Sequence, residues 1–315
     1  VSTGRPAPGR DTAPVPVPSG VVPEPVTPDP PAPVRYPLLH QYWADVVFLH
    51  WRADPAAVAP LLPPRTRPDT HDGVTWVGLV HFRMRRLGFG PLPGLPWLGS
   101  FAETNVRLYS VDDEGRRGVV FRSLDADRML PVLAARGVAA LPYDWSPSTV
   151  YGRVAEGEEI AYSCTRRFPG PRGVSARTRV RTGAPLAVPG ELEHFLTARW
   201  ALHTRRPLGT VRWRNDHPRW PLHHAELLEL DENLVAAAGA APPSGPRTAS
   251  SPRPVCPSGS AAGAGSASTG EGHAPPPPAA RARDESLSRT RYGRAFRAPA
   301  SPGADDRPAE GQELM

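Results

Sequence analysis

FAETNVRLYSV, residues 101–111, reads as a strand that keeps its chemistry on one side. Successive side chains of an extended chain point to opposite faces. Glu103, Asn105 and Arg107 therefore project together, while Ala102, Thr104, Val106 and Leu108 take the other face. The turn DDEG (112–115) and the strand GVVFRSLDA (118–126) complete a hairpin. Upstream, the turn Asp72-Gly73 introduces VTWVGLVHFRM (74–84), and the aromatic, β-branched run Trp43–Trp51 reads as a buried strand. Between them, Asp54-Pro55 supplies the N-cap and first residue of a short helix ended by Pro63-Pro64.

Downstream, MLPVLAARGVAA (129–140) is expected to be helical, with Pro131 in its first turn. STVYGRVAE, EIAYSCTRRF and VSARTRVRTG read as strands. PGELEHFLTARWALHT (189–204) places Leu192, Phe195, Leu196 and Trp200 at helical spacing, and LGTVRWRND and PLHHAELLEL close the pattern as strands. Strands outnumber helices about threefold, mostly joined by short turns. That ratio predicts a β-rich α+β domain, a closed barrel or strongly curved sheet with helices packed outside.

Composition sets the expected boundaries. Of 23 aromatic residues, 21 lie between Val34 and Leu234, whereas 11 of the 43 prolines precede Val34 and 13 follow Gly239. Segments so poor in large apolar side chains bury too little surface to offset the entropy of ordering. Residues 1–33 and 239–315 are therefore expected to be disordered tails around one domain at 34–238. P-x-x-P spacings such as Pro25 to Pro28 fit a linker, or a ligand for a partner.

All 37 basic residues are Arg, and the central region carries 26 of them against 21 acids. No basic stripe or nucleic-acid motif accompanies this modest excess, so nucleic acid is not an expected partner. Two cysteines, Cys164 and Cys256, make neither a disulfide framework nor a zinc site, as suits a reducing compartment. The absence of a long apolar run or a secretory h-region makes the cytoplasm the expected location, with no membrane partner. His223 and His224 are adjacent and point apart on a strand, and the other histidines are scattered, so no metal and no cofactor are expected.

The row Glu103, Asn105, Arg107 has two readings. It is the wet face of an exposed strand, or it lines the inside of a barrel, where Glu103 and Arg107 partner each other and orient a ligand. ARGVAALPYDW (135–145) is likewise open. Arg136 suits a helix C-terminus, Pro142 a helix stop, and Tyr143 a core aromatic with a satisfied hydroxyl.

The strings QYWADVVFLHWRADPAAVAPLLPP, DGVTWVGLVHFRMR, FAETNVRLY, GVVFRSLDAD, AARGVAALPY and HPRWPLHHAE, in this order, resemble the YqjF-like family of uncharacterised bacterial proteins. That family looks like a branch of the acetoacetate decarboxylase-like superfamily, whose fold is a β-barrel enclosing a pocket. Phe101-Ala102-Glu103 resembles the decarboxylases' aromatic-x-Glu strand motif. Arg136, Pro142 and Tyr143 keep the spacing of their G-R-E-x-x-G-x-P-K motif, with Tyr143 at the position of the Schiff-base lysine. A phenol cannot form an imine, and the chain contains no lysine, so the resemblance implies the pocket without the decarboxylase mechanism.

The implied site takes a small anionic or carbonyl-bearing molecule. Arg136 or Arg107 contacts its acid group, Glu103 orients it or acts as base, Tyr143 donates a hydrogen bond or proton, and Asn105 and His50 line the wall. A lysine-independent lyase, isomerase or hydratase fits, as does a pure binding protein. The competing reading is a scaffold acting through its Pro-rich tails. After ENLVAAAG the chain leaves the family pattern, either by a shift of reading frame near residue 240 or by genuine divergence.

Overall fold

In the computed structural model, residues 20–128, 141–240, 255–257 and 261–267 are described. The strands are β1 Leu39–Ala53, β2 Thr66–Pro68, β3 Thr75–Phe89, β4 Phe101–Asp112, β5 Arg117–Ala126, β6 Tyr143–Trp145, β7 Ser148–Gly152, β8 Glu159–Thr165, β9 Ser175–Pro185, β10 Ala201–Arg206, β11 Gly209–Asp216, β12 Leu222–Glu232, β13 Val255–Pro257 and β14 Ala261–Ala267. They make one fourteen-stranded sheet in the order β14-β11-β10-β5-β4-β3-β1-β13-β12-β9-β8-β7, with β2 paired to β4 and β6 to β5. β14 pairs with β1 as well as β11. The fold is thus β-rich with few helices. Among the described residues, no helix is long and apolar enough to cross a membrane.

The turn chemistry acts where the sequence placed it. Asp54 accepts a hydrogen bond from the Ala56 N–H at 2.9 Å, capping the helix Pro55–Val58. The turn after Asp112 is held by its carboxylate, which accepts from the Glu114 and Arg116 N–H groups at 3.1 and 2.8 Å.

The helix expected across 189–204 is shorter. It spans Glu191–Thr197, and Trp200 lies beyond it, before the strand β10. Leu192, Phe195 and Leu196 still pack as one apolar face. Arg199, buried and bound to the Phe195 carbonyl and the Asp69 carboxylate, takes the chain out of the helix. The helix expected at 129–140 lies outside the described residues.

Both faces of β4 are buried from Glu103 to Asp112, which rules out the wet-face reading. Val106 and Leu108 enter a core with Val47, Leu49, Val77, Leu79, Ile160 and Val180. The opposite face meets Val46, Phe48, Val80, Phe82 and Met84, and further along Trp76, Tyr109 and Phe195. Each such fully buried side chain contributes roughly 1.5–3 kcal/mol.

Where the described residues reach into the two expected tails, they differ from expectation. Residues from Gly20 onward run along the domain through specific bonds. Glu24 bonds Gly115 and Arg117, the Trp200 indole donates to the Thr27 carbonyl at 3.1 Å, and Asp29 pairs with Arg219. Composition underrates this strap because its backbone polar groups, rather than its side chains, make most of the contacts. Beyond residue 239, Val255–Pro257 and Ala261–Ala267 add strands to edges left by β1, β11 and β12. Ladder bonds come from the backbone and need no apolar alternation.

Candidate functional site

The registers bring the sequence-selected residues onto one face. Glu103 stands opposite Phe82 and Ala126, Asn105 opposite Val80 and Leu124, and Arg107 opposite Gly78 and Phe121. On the next strand His50 faces Gly78 and Phe48 faces Val80. Tyr143 stands opposite Leu124 on β6. Gly78 is needed here, since a Cβ would come within 3.1 Å of the Arg107 Cγ and 3.2 Å of the His50 ring.

Glu103 is 1% exposed, and the Tyr143 hydroxyl donates to its Oε2 at 3.4 Å. Burial pushes the Glu103 carboxyl up to about 8, against the smaller opposing effects of Tyr143 and Asn105. Burial, and then the neighbouring Glu103, raises the Tyr143 phenol well above its ordinary range. Near neutral pH both groups are therefore protonated and the pair is uncharged. Asn105 is fully buried, and neither of its amide atoms has a partner in hydrogen-bond geometry, although the side chain is close enough to lower the pKa of Glu103.

Arg107 is 5% exposed. Its Nε donates to the Tyr109 hydroxyl at 3.1 Å and a terminal nitrogen to the Leu196 carbonyl at 2.6 Å. It does not pair with Glu103, because four residues along a strand span roughly 13 Å. Among the described residues it has no carboxylate partner within ion-pair distance, whereas nearby Arg199 binds Asp69. The Tyr109 hydroxyl donates to the Leu196 carbonyl at 2.9 Å and lies 2.7 Å from His50 Nε2. Burial, then Arg107 and Arg199, holds His50 well below the usual imidazole range, so it is neutral, and its Nδ1 has no partner.

Tyr143 is held in place from behind. Its neighbour Asp144 lies 3.2 Å from the Arg166 Nε. Arg166 also makes a two-pronged contact with Asp125 at 2.8 and 2.7 Å, and Asp125 accepts from the Ser146 hydroxyl at 2.7 Å. The short strand β6 is thereby fastened to β5 just after Tyr143.

Sequence reasoning missed Tyr109, which continues the alternation of Glu103, Asn105 and Arg107 by one more step. It also missed Trp43, His217 and Trp220, whose convergence depends on strand order. Arg136 lies outside the described residues. A separate open cleft of about 480 Å³, lined by residues including Arg83, Arg85, Ser148 and Val150, does not include Glu103, Asn105 or Arg107.

The architecture is similar to that of an acetoacetate decarboxylase-like enzyme from Sphingomonas wittichii RW1, with a TM-score of 0.50 and 15% identity over 73% of this chain and 91% of that one. An acetoacetate decarboxylase from Legionella pneumophila superposes with a TM-score of 0.47 at 14% identity, over 76% of this chain and 92% of its own. The first likeness shows the fold alone. The chain belongs to the DUF2071 family of uncharacterized conserved proteins, whose model matches residues 40–254. The uncharacterized protein YqjF of Bacillus subtilis (strain 168) is 31% identical over 201 residues, 64% of this chain and 81% of that protein.

Proposed function

We propose that this chain binds a small anionic or carbonyl-bearing metabolite on the inner face of its sheet, which curves into a barrel. Arg107 faces the acid group, Glu103 and Tyr143, both protonated, stand further along the same face, and Asn105 and His50 line it. Arg136 enters through the family motif alone. The double pairing of β14, with β1 and with β11, supports the barrel.

Arg107 carries the reading. A buried guanidinium without a compensating carboxylate costs several kcal/mol, which an anionic ligand offsets. The neutral state of Glu103 supports it as well, since an arriving anion meets no negative charge there. Any reaction at this site runs without an imine, because the chain has no lysine. Proton transfer between the ligand and the Glu103–Tyr143 pair remains available, as a lyase, isomerase or hydratase requires. Neither a nucleic acid nor a membrane is part of this proposal.

A thermal-shift screen of the full chain against keto acids, hydroxy acids and small carbonyl compounds tests it. A ligand at about 100 times its dissociation constant adds roughly 2.7 kcal/mol of stability. The expected result is a rise in melting temperature that is kept in Glu103→Gln, which mimics the neutral carboxyl, and lost in Arg107→Met. A hit that persists unchanged in Arg107→Met would place binding elsewhere.

A further inference from the structure

Beside the polar row stands a wall of rings that recognition of an acid group leaves unused. Trp43 stacks on Phe82 with centroids 3.9 Å apart and planes 11° apart. Trp220 meets Phe48 edge-on at 5.7 Å and inclines toward Trp43 at 6.1 Å. His217 lies 4.9 Å from Trp220, and burial pulls its imidazole down to about 4, so it extends the wall as an uncharged ring.

Wall and row share one face. Phe82 stands opposite Glu103, and Val80 stands opposite both Asn105 and Phe48. At the inner end the Arg107 guanidinium lies 5.0 Å from the centre of the Phe48 ring, while Trp43 and Trp220 are only partly buried at the other end.

The polar atoms around this wall are not those of a closed core. Trp43 Nε1 and both amide atoms of Asn105 are buried without a hydrogen-bond partner. A buried indole N–H ordinarily finds one, and a leucine at 105 would fill similar space without leaving polar groups unsatisfied. Orphaned donors and an orphaned acceptor beside the half-buried rings of Trp43 and Trp220 mark a place where a ligand supplies both the apolar contact and the missing bonds.

We infer that the acid taken by this face carries a flat aromatic or conjugated body, which lies against the half-buried rings of Trp43 and Trp220 while its charged group faces Arg107. This rests on the anion-binding reading above and narrows its ligand class to aryl or conjugated acids over short aliphatic ones.

Phenylpyruvate and pyruvate carry the same α-keto acid and differ by one phenyl ring, so calorimetric titration of both into the full chain isolates the wall. Phenylpyruvate is expected to bind at least about tenfold more tightly. Trp220→Ala, at a half-buried position, is expected to bring the ratio of affinities close to one, with a melt of the variant confirming that it folds. Equal affinities in the wild-type chain would overturn the aromatic inference and leave the anion site standing. A preference that survives Trp220→Ala would also overturn it, and binding of neither acid would count against both readings.

Discussion

The Tyr143 hydroxyl lies 3.4 Å from Glu103 Oε2, joining a residue of the short strand β6 to the centre of the row on β4. Because burial dominates the pKa of Glu103, this pair acts as a reservoir holding a proton that an exposed glutamate would have lost.

That proton has a thermodynamic signature. The Glu103 carboxyl is raised from an ordinary 4.5 to about 8, so between these values the folded chain binds more protons than the unfolded one. Its contribution to stability is fully present below the lower value and is lost as pH rises toward the upper one, by at most about 1.4 kcal/mol per pH unit. Urea denaturation of wild type and Glu103→Gln at pH 5 and pH 8 is expected to show the variant gaining on wild type as pH rises. Parallel pH dependences would contradict a protonated Glu103.

Tyr143→Phe removes a hydrogen bond that lowers the Glu103 pKa. The carboxyl is therefore expected to titrate at still higher pH in this variant, as read by carbon-13 NMR of labelled glutamate. At 3.4 Å the bond is long, and its loss is expected to cost no more than about 1 kcal/mol. An unchanged or lowered pKa would show that the two groups do not communicate.

Asn105→Leu is expected to stabilise the fold, by roughly 1–3 kcal/mol, because it removes two buried amide atoms that have no partner in hydrogen-bond geometry. The same variant is expected to lose ligand binding. Chemical denaturation checks the first effect and titration the second; a destabilised variant would mean that the amide serves the fold.

Removing residues 1–33 deletes the Glu24, Thr27 and Asp29 contacts to Arg117, Trp200 and Arg219. The truncated chain is expected to melt lower by roughly 2 kcal/mol or more in stability, with a change in Trp200 emission. An unchanged melting temperature would show that the strap adds nothing.

Arg166→Met leaves Asp125 as a fully buried carboxylate without its cation. Breaking a buried ion cluster from one side costs about 3–5 kcal/mol. Double substitution with Asp125→Leu is expected to recover part of that loss, and denaturant midpoints of the three variants check it. No recovery would show that the two residues act separately.

Much of the site was legible because a strand keeps a strict period. Glu103, Asn105 and Arg107 share a face by alternation alone, and their burial follows from β4 lying between two apolar surfaces. The partners were not legible. Arg107 finds the Leu196 carbonyl 89 residues away, and Tyr143 meets Glu103 through a parallel pairing of β6 with β5. Local pattern carries no record of either. The helix read through Trp200 shows the same limit, since tertiary pairing of Arg199 with Asp69 outweighs helical spacing. Composition likewise overlooked the strap from Gly20, which is held by backbone bonds that side-chain statistics do not count.

The central claim is that an anion binds beside Arg107 because Glu103 is protonated, and the pH dependence of affinity tests it most directly. Calorimetric titration of phenylpyruvate into wild type and Glu103→Gln from pH 6 to pH 10 is the measurement. Wild-type affinity is expected to hold at low pH and then to fall above about 8, by up to about tenfold in all, as the carboxylate forms and repels an anion held roughly 13 Å away. Glu103→Gln is expected to bind with little change across the range. The same falling profile in both proteins, or binding that strengthens as Glu103 ionises, would contradict the account.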